Sequence, residues 1–281
     1  MKEFLNENTL FSTILMLNES NLPLLVVEGE YDQLLLKKHC TENLKILSGT
    51  GGKKQVLCTA SLAREKNFKN VHFLVDRDYD NFSSECSYFS YYNVHYSDSH
   101  DIFMDLITND WKNFQYLLEV VAKRDNENLN DFESSNLDDI KNEAISLAAC
   151  LAVVRILNAK FDLGFNFKRF SFYKFDTKAN FDINTIEKIL KYFENENLDN
   201  LIIDSRKIYD EVIESVEHVI GDHDLFEAIA RGFKLSKISI KANYIQKTFI
   251  FGVSCLSIVN TTWYSEIQSW CKKYDCEGFN C

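Results

Sequence analysis

The sequence predicts an α/β fold, with a parallel sheet of about four strands in its first half and a mainly helical second half. Three observations predict it. Short β-branched apolar runs alternate with amphipathic stretches as far as about residue 124. Beyond that point apolar residues recur at helical spacing. Gly and Pro number 9 and 1 among 281 residues, which leaves little material for long irregular loops.

The elements follow in order. The opening MKEFLNENTLFSTILMLNES reads as a helix, because polar residues break its apolar stretch and no small-residue cleavage site follows. LLVVE at 24–28, preceded by Pro23, reads as a buried strand. Gly29 then opens a helix through EYDQLLLKKHC. NLKIL at 43–47 is the second strand, followed by the loop SGTGGKK and a helix through VLCTASLAREKNF. VHFLVD at 71–76 and YNVHYS at 91–96 are the third and fourth strands, and HDIFMDLITNDW and FQYLLEVVAKR are helical. The polar, acidic stretch 125–139 marks a boundary, giving domains 1–124 and 125–281. In the second domain KNEAISLAACLAVVRILNAKF carries a broad apolar face, and NTIEKILKYFENENL and SRKIYDEVIESVEHVI carry narrower ones. FKRFSFYKF alternates like a strand with one buried aromatic face. Its aromatics among Lys168, Arg169 and Lys174 also suit a stacking platform for single strands, and the strand is the favoured reading.

Composition sets limits. Acids outnumber bases 42 to 31, a net charge of −11, which excludes a general coating of nucleic-acid affinity but not a local basic groove. An apolar content of 46% suits a real core and excludes global disorder. No run approaches the roughly 18 apolar residues that a membrane helix needs. Eight cysteines without a signal peptide read as free thiols of a reducing, cytoplasmic compartment. Cys271, Cys276 and Cys281 recur every five residues, but a zinc site there lacks a fourth ligand nearby, and ordinary thiols are favoured.

The chemistry concentrates at two strand ends. Val26-Val27-Glu28-Gly29-Glu30-Tyr31-Asp32 closes the first strand, and Leu74-Val75-Asp76-Arg77-Asp78-Tyr79-Asp80 closes the third. In an open parallel sheet, ligands collect outside the carboxyl ends of the strands. If the two strands are neighbours, Glu28, Asp76 and Asp78 converge. Clustered carboxylates stay ionised at neutral pH only if a cation neutralises them, and oxygen ligands without His or Cys select Mg²⁺ or Mn²⁺. Such a site suits phosphodiester cleavage. Either motif alone reads as a helix start or a solvated loop; together, in βαβ order, they are a stronger signal.

Apolar strand–Glu28-Gly29-x-x-Asp32 followed by apolar strand–Asp76-x-Asp78 resembles the Toprim domain of primases, topoisomerases and overcoming-lysogenization-defect (OLD) nucleases, over about residues 20–110. The resemblance implies a Rossmann-like Toprim fold, Glu28 as general acid or base, and Asp76 and Asp78 as catalytic metal ligands, with Glu28 and Asp80 adding to the metal set. OLD-like members carry a further acid after the fourth strand; the candidates are Asp101 and Asp105, and Asp101 is preferred. The layout resembles the small Toprim effectors of antiphage defence, the AriB-like proteins of the PARIS system. IGDHDLFEAIA and TTWYSEIQSW are similar to segments of that group, although Asp222 stands where the group usually has Gly. The resemblance implies a toxic endonuclease with tRNA as the favoured substrate, an ABC-class ATPase partner that silences it, and a homodimer when active. A non-catalytic, Toprim-derived regulatory subunit of an ATPase complex is the alternative, and Glu28 speaks for the enzyme.

Other features carry two readings each. Ser48–Lys54 fails the P-loop pattern, since Leu47 and Lys54 stand where Gly and Ser/Thr are required; Lys53 and Lys54 contact phosphate there, or the loop is a plain turn. His218 and His223 with Glu214, Asp222 and Asp224 form a second metal site, or one of the aspartates caps the helix LFEAIARGF. His100 beside Asp101 assists catalysis or sits at a helix start. No acid occurs between Glu227 and Glu266, and Arg231, Lys234, Lys237 and Lys241 recur every three or four residues. On one helix they form a stripe that holds substrate backbone or docks an acidic partner.

Overall fold

Four strands, β1 (Leu24–Val27), β2 (Lys45–Ser48), β3 (Val71–Val75) and β4 (Val94–Tyr96), form a single sheet. Their order is β2-β1-β3-β4, and every neighbouring pair is parallel. This computed structural model describes residues 7–18, 22–82, 91–124, 134–175, 180–193 and 197–281. The expected α/β class with a four-stranded parallel sheet is therefore present, compatible with a Rossmann-like arrangement. The second strand lies at 45–48 rather than 43–47, and Cys86 and most of the polar stretch 125–139 lie outside the described residues.

The strand runs are almost continuously apolar because both sheet faces are covered. On one face α1 (Glu7–Leu17) and α3 (Gly52–Glu65) bring Leu10, Ile14, Val56, Ala60 and Ala63 against Leu24, Val26, Val71, Phe73 and Val75. Period-two alternation sends Leu25, Val27, His72 and Leu74 to the other face. There Trp270 of α12 (Thr262–Cys271) stacks on the His72 ring with centroids 4.0 Å apart. His72 Nδ1 lies 2.8 Å from His95 Nε2, and His95 Nδ1 lies 2.6 Å from Glu266 Oε2. Burial, with His95 and Lys273 adding to it, pushes His72 down to about 3, so the ring stays neutral under the indole.

The described residues divide into two compact units. One takes those within 1–77, 87–110 and 253–281, the other those within 78–86 and 111–252. A single cut after residue 124 follows the change in composition but not this division. The chain returns at Val253 to cover the open sheet face with α11 (Cys255–Val259) and α12, and α5 (Trp111–Arg124) groups with the helical unit.

In the helical unit, α6 (Ser134–Phe161) is central, with residues 147–154 wholly buried. It packs on α7 (Ile183–Tyr192), α8 (Leu198–Val212) and α9 (Asp222–Leu235). Leu137–Phe161 is long and apolar enough to cross a membrane by length and composition, contrary to the reading that no segment comes near; here it is the core helix. The α6–α9 approach needs Gly232, because a Cβ there would lie 2.6 Å from Ile140 Cγ2. FKRFSFYKF is not a strand. It forms two 3-10 turns, Phe167–Arg169 and Phe172–Lys174, and among the described residues every strand belongs to the other unit. Instead Phe170 packs against Phe172, Phe175, Tyr192 and Phe193.

Candidate functional site

From β1 the chain crosses to β2 on one side, and from β3 it passes to β4 on the other. β1 and β3 are neighbours, so the topological switch point lies between them, and its crevice opens at their carboxyl ends. Glu28 is the first residue after β1 and Asp76 the first after β3. Glu28 Oε1 accepts a 2.9 Å hydrogen bond from the Asp76 amide, which joins the two strand ends across the switch. Asp76 Oδ1 accepts from the Ile102 amide at 3.1 Å, at the start of α4 (Ile102–Asn109). The sequence thus brings Glu28 and Asp76 together as expected.

Asp101 joins them in a different role from a bare ligand. It is the N-cap of α4: Oδ1 accepts from Met104 N at 2.8 Å, and Oδ2 lies 3.0 Å from His100 Nδ1. Asp105 is the structural acid of the pair. Its carboxylate accepts from the amides of Asp98 and Ser99, the Ser99 hydroxyl and Trp263 Nε1, latching the β4–α4 loop to α12. Burial pushes Asp105 up to about 6 against those hydrogen bonds. Asp32, one turn into α2 (Glu30–Lys37), accepts from Gly29 N at 2.9 Å. Burial pushes it up to about 7; the Gly29 amide opposes this and the charge of Asp101 adds to it. Asp32 thus feels the charge of Asp101, and it stands in the same Glu28-Gly29-x-x-Asp32 motif as Glu28; its burial is what the sequence did not show.

Asp78 and Asp80 group with the helical unit, Asp78 with a left-handed φ of 51° and Asp80 at the start of a 3-10 turn. Lys53 donates from Nζ to the Arg77 carbonyl at 3.0 Å, and Lys54 is exposed. The amides of Thr50 and Gly51, where a phosphate contact was one reading, donate instead to Gln55 Oε1 at 3.0 and 2.8 Å. The loop is a turn closed by its own helix.

Hard oxygen donors of this kind suit Mg²⁺ or Mn²⁺. Their spacing matters too. Among the described residues, the group of three His, Cys, Asp or Glu ligand atoms within 4.8 Å of one another is His39, Cys255 and Cys281, not the acids. Mg²⁺ commonly takes one or two carboxylates and completes its shell with water and substrate phosphate, and Glu28, Asp76 and Asp101 fit that pattern better than a closed cage.

The basic stripe does not form. Helix α9 ends at Leu235, two residues before Lys237, which has a φ of 64°, and Lys241 precedes α10 (Ala242–Gly252). Arg231 is buried and donates to the Phe175 carbonyl at 2.7 Å, so it serves the core. Lys234 lies 4.3 Å from the Tyr173 ring. Asp222 and Asp224 do not cap α9 by side chain; Gly221 is its N-cap. Asp222 accepts from the His223 amide and from Gln246 Nε2, and Asp224 takes both Arg155 nitrogens at 2.6 and 2.8 Å. The His223 side chain is 79% exposed, and the second metal site does not assemble among the described residues.

The helical unit has a basic groove elsewhere. Tyr173, Lys174, Phe175, Lys188, Lys191 and Tyr192 line a cavity of about 650 Å³. Lys174 Nζ sits 4.8 Å from the Tyr192 ring. Sequence reading missed Lys188 and Lys191; their spacing of three residues on the amphipathic α7 was the available signal. No family model matches the chain, and no curated protein matches it in sequence.

Proposed function

We propose that the chain is a Mg²⁺- or Mn²⁺-dependent phosphodiester hydrolase of Toprim type acting on nucleic acid. The observation that carries the reading is the pairing of Glu28 and Asp76 across the switch point of a parallel sheet, with Asp101 at the start of the helix after the next strand. In this reading Asp76 and Asp101 hold the cation and Glu28 handles the proton of the attacking water. A bound divalent ion supplies charge neutralisation at the scissile phosphate. The Ile102 amide orients Asp76, and the Asp76 amide orients Glu28, so each acid is aimed before substrate arrives. The groove of Lys174, Lys188 and Lys191 among aromatic rings suits stacked bases and backbone phosphate.

From the resemblance to the Toprim defence effectors, we further infer a cytoplasmic toxin that cleaves tRNA, acts as a homodimer and is silenced by an ABC-class ATPase partner. The experiment is direct. Purified protein with Mg²⁺ is incubated with tRNA, single-stranded RNA and duplex DNA, beside Glu28→Gln and Asp76→Asn. The reading expects cleavage that chelation stops and both variants lack. Wild-type cleavage by Glu28→Gln overturns it. A metal-binding protein that cleaves none of the substrates favours the regulatory-subunit reading.

A further inference from the structure

Helix α2 runs back across the sheet from Glu30, so His39 lies at the amino edge of the strands, opposite the acidic crevice. The last residues of the chain are fastened there by main-chain hydrogen bonds. Asn280 N donates to the His39 carbonyl at 2.8 Å, Thr41 N donates to the Gly278 carbonyl at 3.0 Å, and Cys40 and Phe279 form an antiparallel bridge. This register delivers Cys281 to the imidazole. Helix α11, capped by Ser254, starts at Cys255 and delivers a second sulfur. His39 Nδ1 lies 3.6 Å from Cys255 Sγ and 3.8 Å from Cys281 Sγ. The two cysteines form a disulfide in this structure.

A disulfide has no need of an imidazole facing both of its sulfurs. A zinc ion does. With Zn–S of about 2.3 Å and Zn–N of about 2.0–2.1 Å in a tetrahedral shell, sulfur and nitrogen ligands stand about 3.5 Å apart, close to the two distances seen here. His39 is buried, and its Nε2 has no hydrogen-bond partner. The proton can therefore rest on Nε2 and leave the Nδ1 lone pair facing the sulfurs. Two thiolates and an imidazole select zinc over the hard ions that suit the acidic crevice. Cys281 is exposed, which gives an ion a path from solvent.

We propose that His39, Cys255 and Cys281, when the cysteines are reduced, form a Zn²⁺ site that clips the last residues of the chain to the end of α2, and that oxidation to the disulfide abolishes it. The chemistry balances. A dithiol reductant gives two electrons and two protons to the Cys255–Cys281 bond, leaving as its own disulfide and freeing two thiols. Zn²⁺ then bonds both sulfurs and Nδ1, two protons leave the thiols, and water takes the fourth position. Sequence spacing alone grouped Cys281 with Cys271 and Cys276. Tertiary structure instead gives it a histidine 242 residues away and a cysteine 26 residues away. This inference does not depend on the nuclease reading.

The test uses the full chain, reduced with a phosphine and titrated anaerobically with Co²⁺ and then Zn²⁺, beside the oxidised protein. The expected result is one Co²⁺ per chain with tetrahedral thiolate absorption, displaced by Zn²⁺ and absent from the oxidised form. His39→Gln, Cys255→Ser and Cys281→Ser should each weaken binding by at least about tenfold, since even outer-shell losses at metal sites cost about 10–100-fold. Zinc should raise the unfolding temperature of reduced wild type and not of the oxidised form, a comparison that needs no variant to fold. Reduced wild type without the thiolate signature overturns the proposal. So does an undiminished signature in Cys281→Ser, which would move the site to the other cysteines.

Discussion

Asp224 in the helical unit and the acids at the strand ends of the sheet unit are held in different ways. In the helical unit, Asp224 is buried and takes a two-point hydrogen bond from Arg155, whose guanidinium also lies 4.3 Å from the Phe167 ring. In the sheet unit, Glu28, Asp32, Asp76 and Asp101 gather at three neighbouring strand and helix termini, and main-chain amides are prominent among their partners. Burial and the Asp101 charge push Asp32 up to about 7. An acid joined to an arginine serves the fold. Acids held against one another by amides leave negative charge that a cation can neutralise. The helical unit pairs its buried acid within the fold, and on the proposed reading the sheet unit keeps its acids for a cation.

The largest test of that contrast is catalytic. Glu28→Gln or Asp76→Asn should lower metal-dependent cleavage by about 10²–10³-fold while leaving the circular dichroism spectrum unchanged, the range seen when one group that stabilises the transition state is removed. Loss of folding together with activity would place these acids with Asp224 instead.

Asp224→Asn should do the reverse. It leaves a half-buried guanidinium without its charge partner, and breaking a buried pair costs about 3–5 kcal/mol. Denaturant unfolding would read this as a lower midpoint at unchanged slope. A change below about 1 kcal/mol would show that the pair contributes little to this fold.

Asp32→Asn should stabilise the metal-free protein at high pH. A folded value of about 7 lies above the ordinary 3.8, so wild type is fully stabilised below pH 3.8 and loses stability as pH rises through about 7. The asparagine oxygen can still accept from Gly29 N. At pH 8 the variant should exceed wild type by at least about 1.4 kcal/mol, the equivalent of one pKa unit, and the gap should close by pH 3. Thermal melts at the two pH values decide it, and an equal gap at both would remove the electrostatic explanation.

The smallest expected effect is in the groove. Lys188→Gln with Lys191→Gln should weaken single-strand binding at every sequence and flatten the dependence of log K on log salt by about 1.4, the value for two lost phosphate contacts. An unchanged slope would take the groove out of the substrate path.

How far the sequence carried can be read at particular residues. Glu28 and Asp76 were legible because each follows a short β-branched run, and a parallel sheet puts such residues at one edge. Asp32 was legible as part of the Glu28-Gly29-x-x-Asp32 motif, but its raised pKa was not, because that comes chiefly from burial. That Asp78 and Asp80 group with the helical unit was not legible, because alternation along a loop says nothing about which unit the loop joins. The stripe through Arg231 and Lys241 misled because even spacing of charges does not reveal where a helix stops or which of its faces is buried.

The sequence by itself determined the strands, most of the helices and the order in which acids meet strand ends, since these depend on periodicity and near neighbours. Tertiary structure decided that β1 lies beside β3, that residues 253–281 return to cover the sheet, that Arg155 meets Asp224, and that His39 meets Cys255 and Cys281. Those are pairings between residues 26 to 242 positions apart, and only the packing of the whole chain, in which each buried face finds its cover, selects them.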